Sequence, residues 1–410
     1  PNDSTQRAVL NELSQISIQG SVNIIVQVCV RIGRFGLKVF IGRTLGPALL
    51  GIYTLALSIS TVLAQVGTLG IPRALQRELS QLSESVGLGE KASTLVKKAA
   101  ILVISALILV GGLYLLEGES LTQQFRAYQR LNDYSVLIAG LLIATGIRKF
   151  FIELLIAEER IREKAIVGDL LFFLVKGLVA VYLITIGFTV DGLIAADLLA
   201  SLAVVAVVAL RTSFSVGTGW STNQYEARLL TRNFVKLSGS LFGIRLTEMS
   251  SGAGLQVVLG FLLTASGLGI FNVATLVGGG LVVILGAGNT IFRPVFARLH
   301  GAERREELRQ IYIRANKWIA ISSLPLAAVC IVVPEQLMGL FGAGFRAGGM
   351  ALAVVATGHI VNVLCGSNGI LLQMCSEHRT ALMVNVVSTS SIFLLSFLLV
   401  PSLGVLGASI

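Results

Sequence analysis

Apolar residues along this chain come in long blocks rather than in alternation. Eleven segments, at 18–41, 48–71, 95–116, 134–155, 166–188, 191–210, 237–263, 268–291, 313–334, 347–372 and 381–400, run almost uninterrupted, and residues 403–410 open a twelfth. About 20 apolar residues rising 1.5 Å each cover the ~30 Å hydrocarbon core of a bilayer, so the pattern predicts an all-α polytopic membrane protein. Residues 1–12 are polar and show neither the basic start nor the cleavage site of a secretory signal, so insertion is expected to begin with the first segment.

That first segment breaks its own pattern. Asn23, Gln27, Arg31, Arg34 and Lys38 lie along it, and at 100° per residue they share an arc of roughly 80°. A cation near the bilayer centre costs at least about 2.5 kcal/mol, so this stripe is expected to face a wet interior built for something anionic rather than lipid. With a cytoplasmic start near Ser17, Arg31 lies about 20 Å deep and Arg34 and Lys38 fall in the outer half. Arg31 is the leading candidate.

Other spans carry isolated charges. Lys176, roughly 15 Å into the fifth span, is read either as lining the same interior or as pairing with Asp169, seven residues back. Arg245 and Glu248 in the seventh span are spaced for an intrahelical pair, with Arg245 retaining donors for substrate. Asp197 in the sixth span is either a coupling-ion site or the interhelical partner of a cation. Arg148, Lys149 and Glu153 are placed to snorkel to the cytoplasmic interface.

Composition agrees with the pattern: 54% of the 410 residues are apolar, 13% are charged, and the mean hydropathy is +0.83. The net charge of +10 is distributed by side. Clusters such as Arg73–Lys98, Arg160–Lys164, Arg211–Lys236 and Arg293–Lys317 fall on even-numbered connections, and the opposite side has only Arg43, Arg126, Arg130 and Arg346. By the positive-inside tendency the amino terminus and the even connections are cytoplasmic, in the cytoplasmic (inner) membrane. The basic balance therefore reports topology and contact with anionic membrane lipids, and no nucleic-acid partner is expected.

No cofactor or metal is expected. Cys29, Cys330, Cys365 and Cys375 form no ligand-spaced cluster and read as packing residues. His300, His359 and His378 are scattered, with His359 near Asn362 of slight interest as a proton carrier. Gly342-Ala343-Gly344 follows no strand, and no phosphate-binding loop of the GxxxxGK[ST] type occurs.

An internal repeat organises the chain. Leu50-Gly51-Ile52-Tyr53 opens the second span and Leu268-Gly269-Ile270-Phe271 opens the eighth, an offset of 218 residues. Pro72 and Pro294 are expected to close the two spans. An even number of helices per repeat gives two six-helix lobes related by an axis along the membrane normal. The lobes are expected at 1–211 and 237–410, with 212–236 a cytoplasmic linker. Gly278-Gly279-Gly280, Gly286 and Gly288 suit close packing or bending of the eighth span.

The run Gly42-Arg43-Thr44-Leu45-Gly46-Pro47 through Gly51-Ile52-Tyr53, and on to Gly67-Thr68-Leu69-Gly70-Ile71-Pro72, resembles the first helices of polysaccharide transporters. Leu340-Phe341-Gly342-Ala343-Gly344-Phe345, and Pro401 through Leu403-Gly404-Val405 to Gly407-Ala408, resemble late helices of the same family. These are the oligosaccharide-lipid flippases of the multidrug/oligosaccharidyl-lipid/polysaccharide superfamily. Family members usually have twelve or more helices, so the resemblance implies that the twelfth is truncated here.

The resemblance implies translocation of a polyprenyl-diphosphate-linked oligosaccharide by alternating access, with polysaccharide-assembly proteins as further partners and no enzymatic step. The cationic stripe asks independently for such a headgroup, because guanidinium forks replace water at phosphate oxygens. A cation-coupled multidrug exporter of the same superfamily is the alternative, and the cationic stripe argues against it. A membrane enzyme of polysaccharide assembly would need larger outer loops or a His/Asp constellation. A channel or scaffold would need a filter-like loop or a soluble interaction domain.

Overall fold

A computed structural model describes residues 3–85, 90–124, 131–215, 232–366, 368 and 378–410. Among the described residues there is no strand, and nine stretches are long and apolar enough to cross a membrane. One of these, Ile25–Thr68, has 44 residues, and a straight helix of that length would be about 66 Å, twice the hydrocarbon core. It is broken at Gly46, where φ is 75° and ψ is 178°. Pro47 supplies no N–H and disfavours a helical residue before it, and glycine accepts the positive φ without a Cβ clash. Helix α1 (Asp3–Thr68) thus breaks between the apolar blocks 18–41 and 48–71.

The order continues with α2 (Ile71–Ser85), α3 (Glu90–Gln124), α4 (Ser135–Ala157), α5 (Ile161–Ile186) and α6 (Val190–Ser215). Helix α7 (Arg232–Met249) passes through a π turn at Ser250–Gly254 into α8 (Leu255–Leu262). Helices α9 (Ala265–Gly278) and α10 (Gly280–Gly301) follow, then α11 (Arg305–Val332), the short α12 (Pro334–Gly339), α13 (Gly349–Cys365), α14 (His378–Leu403) and α15 (Val405–Ser409). Cys375 and residues 216–231 of the expected linker lie outside the described residues.

Two sequence expectations need correction. Pro72 does not end the second crossing: that helix stops at Thr68, the chain turns through Leu69 (φ 50°) and Gly70 (φ 71°), and Pro72 stands in the first turn of α2. A missing N–H costs nothing there. Pro294 does not close its helix either, because α10 runs on to Gly301. A proline removes one intrahelical bond, which membrane helices tolerate where neighbours resatisfy the freed carbonyl.

The chain forms two compact units, one of Pro1–Lys38 with Ala56–Met249 and one of Val39–Leu55 with Ser250–Ile410. In the first, Leu75 and Leu79 of α2, Val103 and Leu107 of α3, and Leu142, Phe150 and Leu154 of α4 make a buried core that Phe234 of α7 joins. Leu155 of α4, Val167 of α5, and Val204 and Val208 of α6 make a second. In the other unit Leu285, Ile319 and Val363 bring α10, α11 and α13 together.

The repeated tetrapeptides meet within the second unit. A Cβ on Gly51 would stand 1.8 Å from the carbonyl oxygen of Ala265, and one on Gly269 would stand 2.0 Å from that of Pro47. The same 218-residue offset relates Gly51 to Gly269 and Pro47 to Ala265, so the two contacts are one contact seen from either side. The glycine recurs because two helix backbones cross at this point with no room for a side chain. Two of the segments that carry the family resemblance also meet here: Arg43 Nε donates to the Leu340 carbonyl oxygen at 2.7 Å, and Gly42 packs against Phe341.

Candidate functional site

The polar residues of α1 lead into a cluster built within the first unit. Gln27 donates from Nε2 to Asp169 Oδ2 at 2.7 Å, which ties α1 to α5. Lys164 Nζ reaches the same oxygen at 2.8 Å. Asp169 is held by these two donors rather than by Lys176. Lys176 instead pairs across to Asp197 of α6, Nζ to Oδ1 at 2.8 Å, with the aspartate side chain only 3% exposed. Lys38 lies in the field of both members of that pair. The side chain of Asn23 lies outside the described residues.

A π turn over Lys164–Leu171 shapes this part of α5. The wider turn shifts the register of the side chains that follow, a device often found at functional positions. Beyond it, Phe173 packs its ring at Gly33 of α1, where a Cβ would come within 2.3 Å of the ring edge. Phe172 faces α4, with the Arg148 guanidinium 4.3 Å above its ring centre. The two phenylalanines thus fix α1 and α4 against α5, one through a close approach and the other through a cation–π contact.

Arg31 and Arg34 are exposed, and among the described residues neither makes an ion pair or hydrogen bond. Arg148 likewise has no ion pair among the described residues, and its Nε is buried without a hydrogen-bond partner. The charges of Arg34, Asp169 and Asp197 all act on Arg148, and Lys149 follows it on α4. Asp169 and Asp197 are already engaged by Lys164 and Lys176. The cluster therefore holds more cations than carboxylates.

Arg245 stands differently. Its Nη2 is 2.8 Å from Glu153 Oε1 and its Nη1 is 3.3 Å from Glu248 Oε2. Arg73 approaches the same two carboxylates at 4.0 Å and 3.6 Å. This network links α2, α4 and α7, with Glu153 held by two arginines. The charge pattern of the sequence places Arg148 at the membrane interface and Lys164 in a connection, and the structure brings both into the cluster. The available signal was the Phe172-Phe173 pair: an aromatic face at membrane depth is a platform for a cation from a neighbouring helix. Among the described residues no three His, Cys, Asp or Glu side chains gather as metal ligands. Cys330 is buried, and Cys29 and Cys365 are exposed.

Solved structures place this architecture. An inward-facing multidrug resistance MATE family transporter of the MOP superfamily superimposes with a TM-score of 0.74 at 15% identity, covering 94% of this chain and 92% of that one. The lipid II flippase MurJ in an inward closed conformation gives 0.74 at 13% identity, covering 94% and 83%. Fold and multiple spans together define a multi-pass membrane protein with the helical architecture seen in those two structures.

Residues 108–343 match the family model described as polysaccharide biosynthesis protein, and the chain belongs to that family. Over 378 residues it is 21% identical to the probable flippase AglR of Haloferax volcanii, covering 91% of this chain and 75% of that protein.

Proposed function

We propose that this protein is a flippase for a polyprenyl-diphosphate-linked oligosaccharide in surface polysaccharide assembly. It works by alternating access between two six-helix lobes, in the cytoplasmic membrane with its amino terminus cytoplasmic. The observation that carries the reading is the pair Arg31 and Arg34: two exposed guanidiniums without an ion pair among the described residues, on a membrane-spanning helix beside a cluster rich in cations. An anion with several phosphoryl oxygens compensates such a site, because planar guanidiniums replace its lost hydration with charge-assisted hydrogen bonds. Lys38 adds to the attraction, while Lys176 and Arg245 hold the surrounding helices through Asp197, Glu153 and Glu248. The prenyl tail stays in hydrocarbon, where it already has a favourable environment; only the headgroup needs a polar route. Family membership and the likeness to a probable flippase support this reading.

The test is leaflet translocation of a fluorescent lipid-diphosphate-linked oligosaccharide in liposomes carrying the purified protein, with efflux of a cationic dye followed in the same vesicles. Translocation without dye efflux is expected. Arg31→Ala and Arg34→Ala should each slow it roughly 10- to 100-fold, the worth of one or two charge-assisted bonds. Arg→Lys at either position should retain part of the rate, since Lys keeps the charge and loses the fork. Dye efflux without lipid translocation would replace the reading with multidrug export.

A further inference from the structure

We propose that Arg148 is a phosphoryl ligand of the headgroup site, held on Phe172, and that together with Arg34 it sets a preference for lipid-linked diphosphates over monophosphates. The inference rests on the flippase reading and concerns a residue of α4 that neither the cationic stripe nor the family resemblance singles out.

Arg148 has the features of a ligand waiting for an anion. A guanidinium offers five N–H donors in a fixed plane. Here the plane lies 4.3 Å over the Phe172 ring, which fixes its orientation without using a donor. Nε is buried and unsatisfied, and no ion pair neutralises the group among the described residues. A structural arginine at this depth would be expected to take a carboxylate, as Arg245 takes Glu153 and Glu248. The two carboxylates whose charge reaches Arg148 are Asp169 and Asp197, and each is occupied by a lysine at 2.8 Å. The guanidinium is thus oriented, charged and left with open donors, while Arg34 acts on it as a like charge from α1. Two like charges that act on one another while the neighbouring carboxylates are engaged by lysines are relieved by an anion that bridges them.

The geometry also selects among anions. A sugar linked through a diphosphate diester carries two negative charges on two phosphoryl groups, and one linked through a monophosphate diester carries one. With Arg34 presented by α1 and Arg148 by α4, two phosphoryl groups satisfy both helices, whereas a single phosphoryl group favours one guanidinium and leaves the other bare. A bare guanidinium is the costly outcome, and a site built to bond two groups rejects the ligand that lacks one.

The experiment measures binding by the purified full chain in lipid nanodiscs, using farnesyl-diphosphate-linked and farnesyl-phosphate-linked N-acetylglucosamine as probes. Wild type should bind the diphosphate more tightly. Arg148→Gln should weaken the diphosphate about tenfold while leaving the monophosphate nearly unchanged, and Arg34→Gln should weaken both. Phe172→Leu keeps the charge and frees the plane, so it should lower the diphosphate preference by a smaller factor. That variant also reads the ratio if Arg148→Gln does not fold. If Arg148→Gln or Phe172→Leu leaves the preference at its wild-type value while Arg34→Gln still weakens both probes, the role of Arg148 is overturned and the flippase reading stands. Wild type binding neither probe would overturn both.

Discussion

Asp197→Ala should destabilise the protein by about 3–5 kcal/mol, the usual result of removing one partner from a buried ion pair. The Asp197 side chain is 3% exposed, its Oδ1 receives Lys176 Nζ at 2.8 Å, and Lys38 also lies in its field. Removing the carboxylate leaves those ammonium groups concentrated between α1, α5 and α6 with their charges less well balanced. Replacing both partners, as in Lys176→Leu with Asp197→Leu, should recover much of the loss, because two well-packed apolar residues avoid the desolvation cost altogether. Denaturant or thermal unfolding in detergent checks both variants, and an Asp197→Ala protein as stable as wild type would contradict the assignment. The double variant also separates two roles: if it folds and still translocates lipid, Asp197 is a structural partner of Lys176, whereas a folded and inactive double variant assigns it to coupling.

Gly51→Ala and Gly269→Ala should each cost about 3 kcal/mol, and by similar amounts. The added methyl carbon would stand 1.8 Å and 2.0 Å, respectively, from a backbone carbonyl oxygen of the crossing helix. Neither obstacle is a side chain that can rotate away; relief requires the helices themselves to separate. Equal effects follow from the reciprocal geometry, since each substitution pushes on the partner of the other. Unfolding midpoints of the two single variants provide the measurement. A large difference between them, or the absence of any loss, would show that the crossing relaxes freely.

Several features were legible before any tertiary arrangement was known. The blocks at 18–41 and 48–71 required two crossings because a continuous 44-residue helix outreaches the bilayer, and the structure breaks at Gly46 for reasons local to Gly46-Pro47. The repeat of Leu50-Gly51-Ile52-Tyr53 in Leu268-Gly269-Ile270-Phe271 marked a contact whose geometry excludes any larger residue. The arc shared by Gln27, Arg31, Arg34 and Lys38 follows from helical period alone. Partner choice was less legible. The spacing in the chain offered Asp169 as a partner for Lys176 beside an interior-lining role, but a seven-residue separation runs along one helix, and the shorter path leads across to Asp197 on α6, whose partner the sequence left as an unnamed cation. Arg148 looked interfacial because it lies near the inner end of the fourth apolar block, and only the packing of α4 on α5 sets it over Phe172.

The sequence by itself therefore determined that this is a multi-pass helical membrane protein with a repeated glycine and a cationic stripe on its first helix. Those properties depend on segment length, helical period and the cost of charge in hydrocarbon, all of which act within one segment. Which carboxylate neutralises which cation, and which arginines remain open for a ligand, was decided only by the tertiary structure. Electrostatic pairing falls off over a few ångströms, and the relevant distances run between helices far apart in the chain.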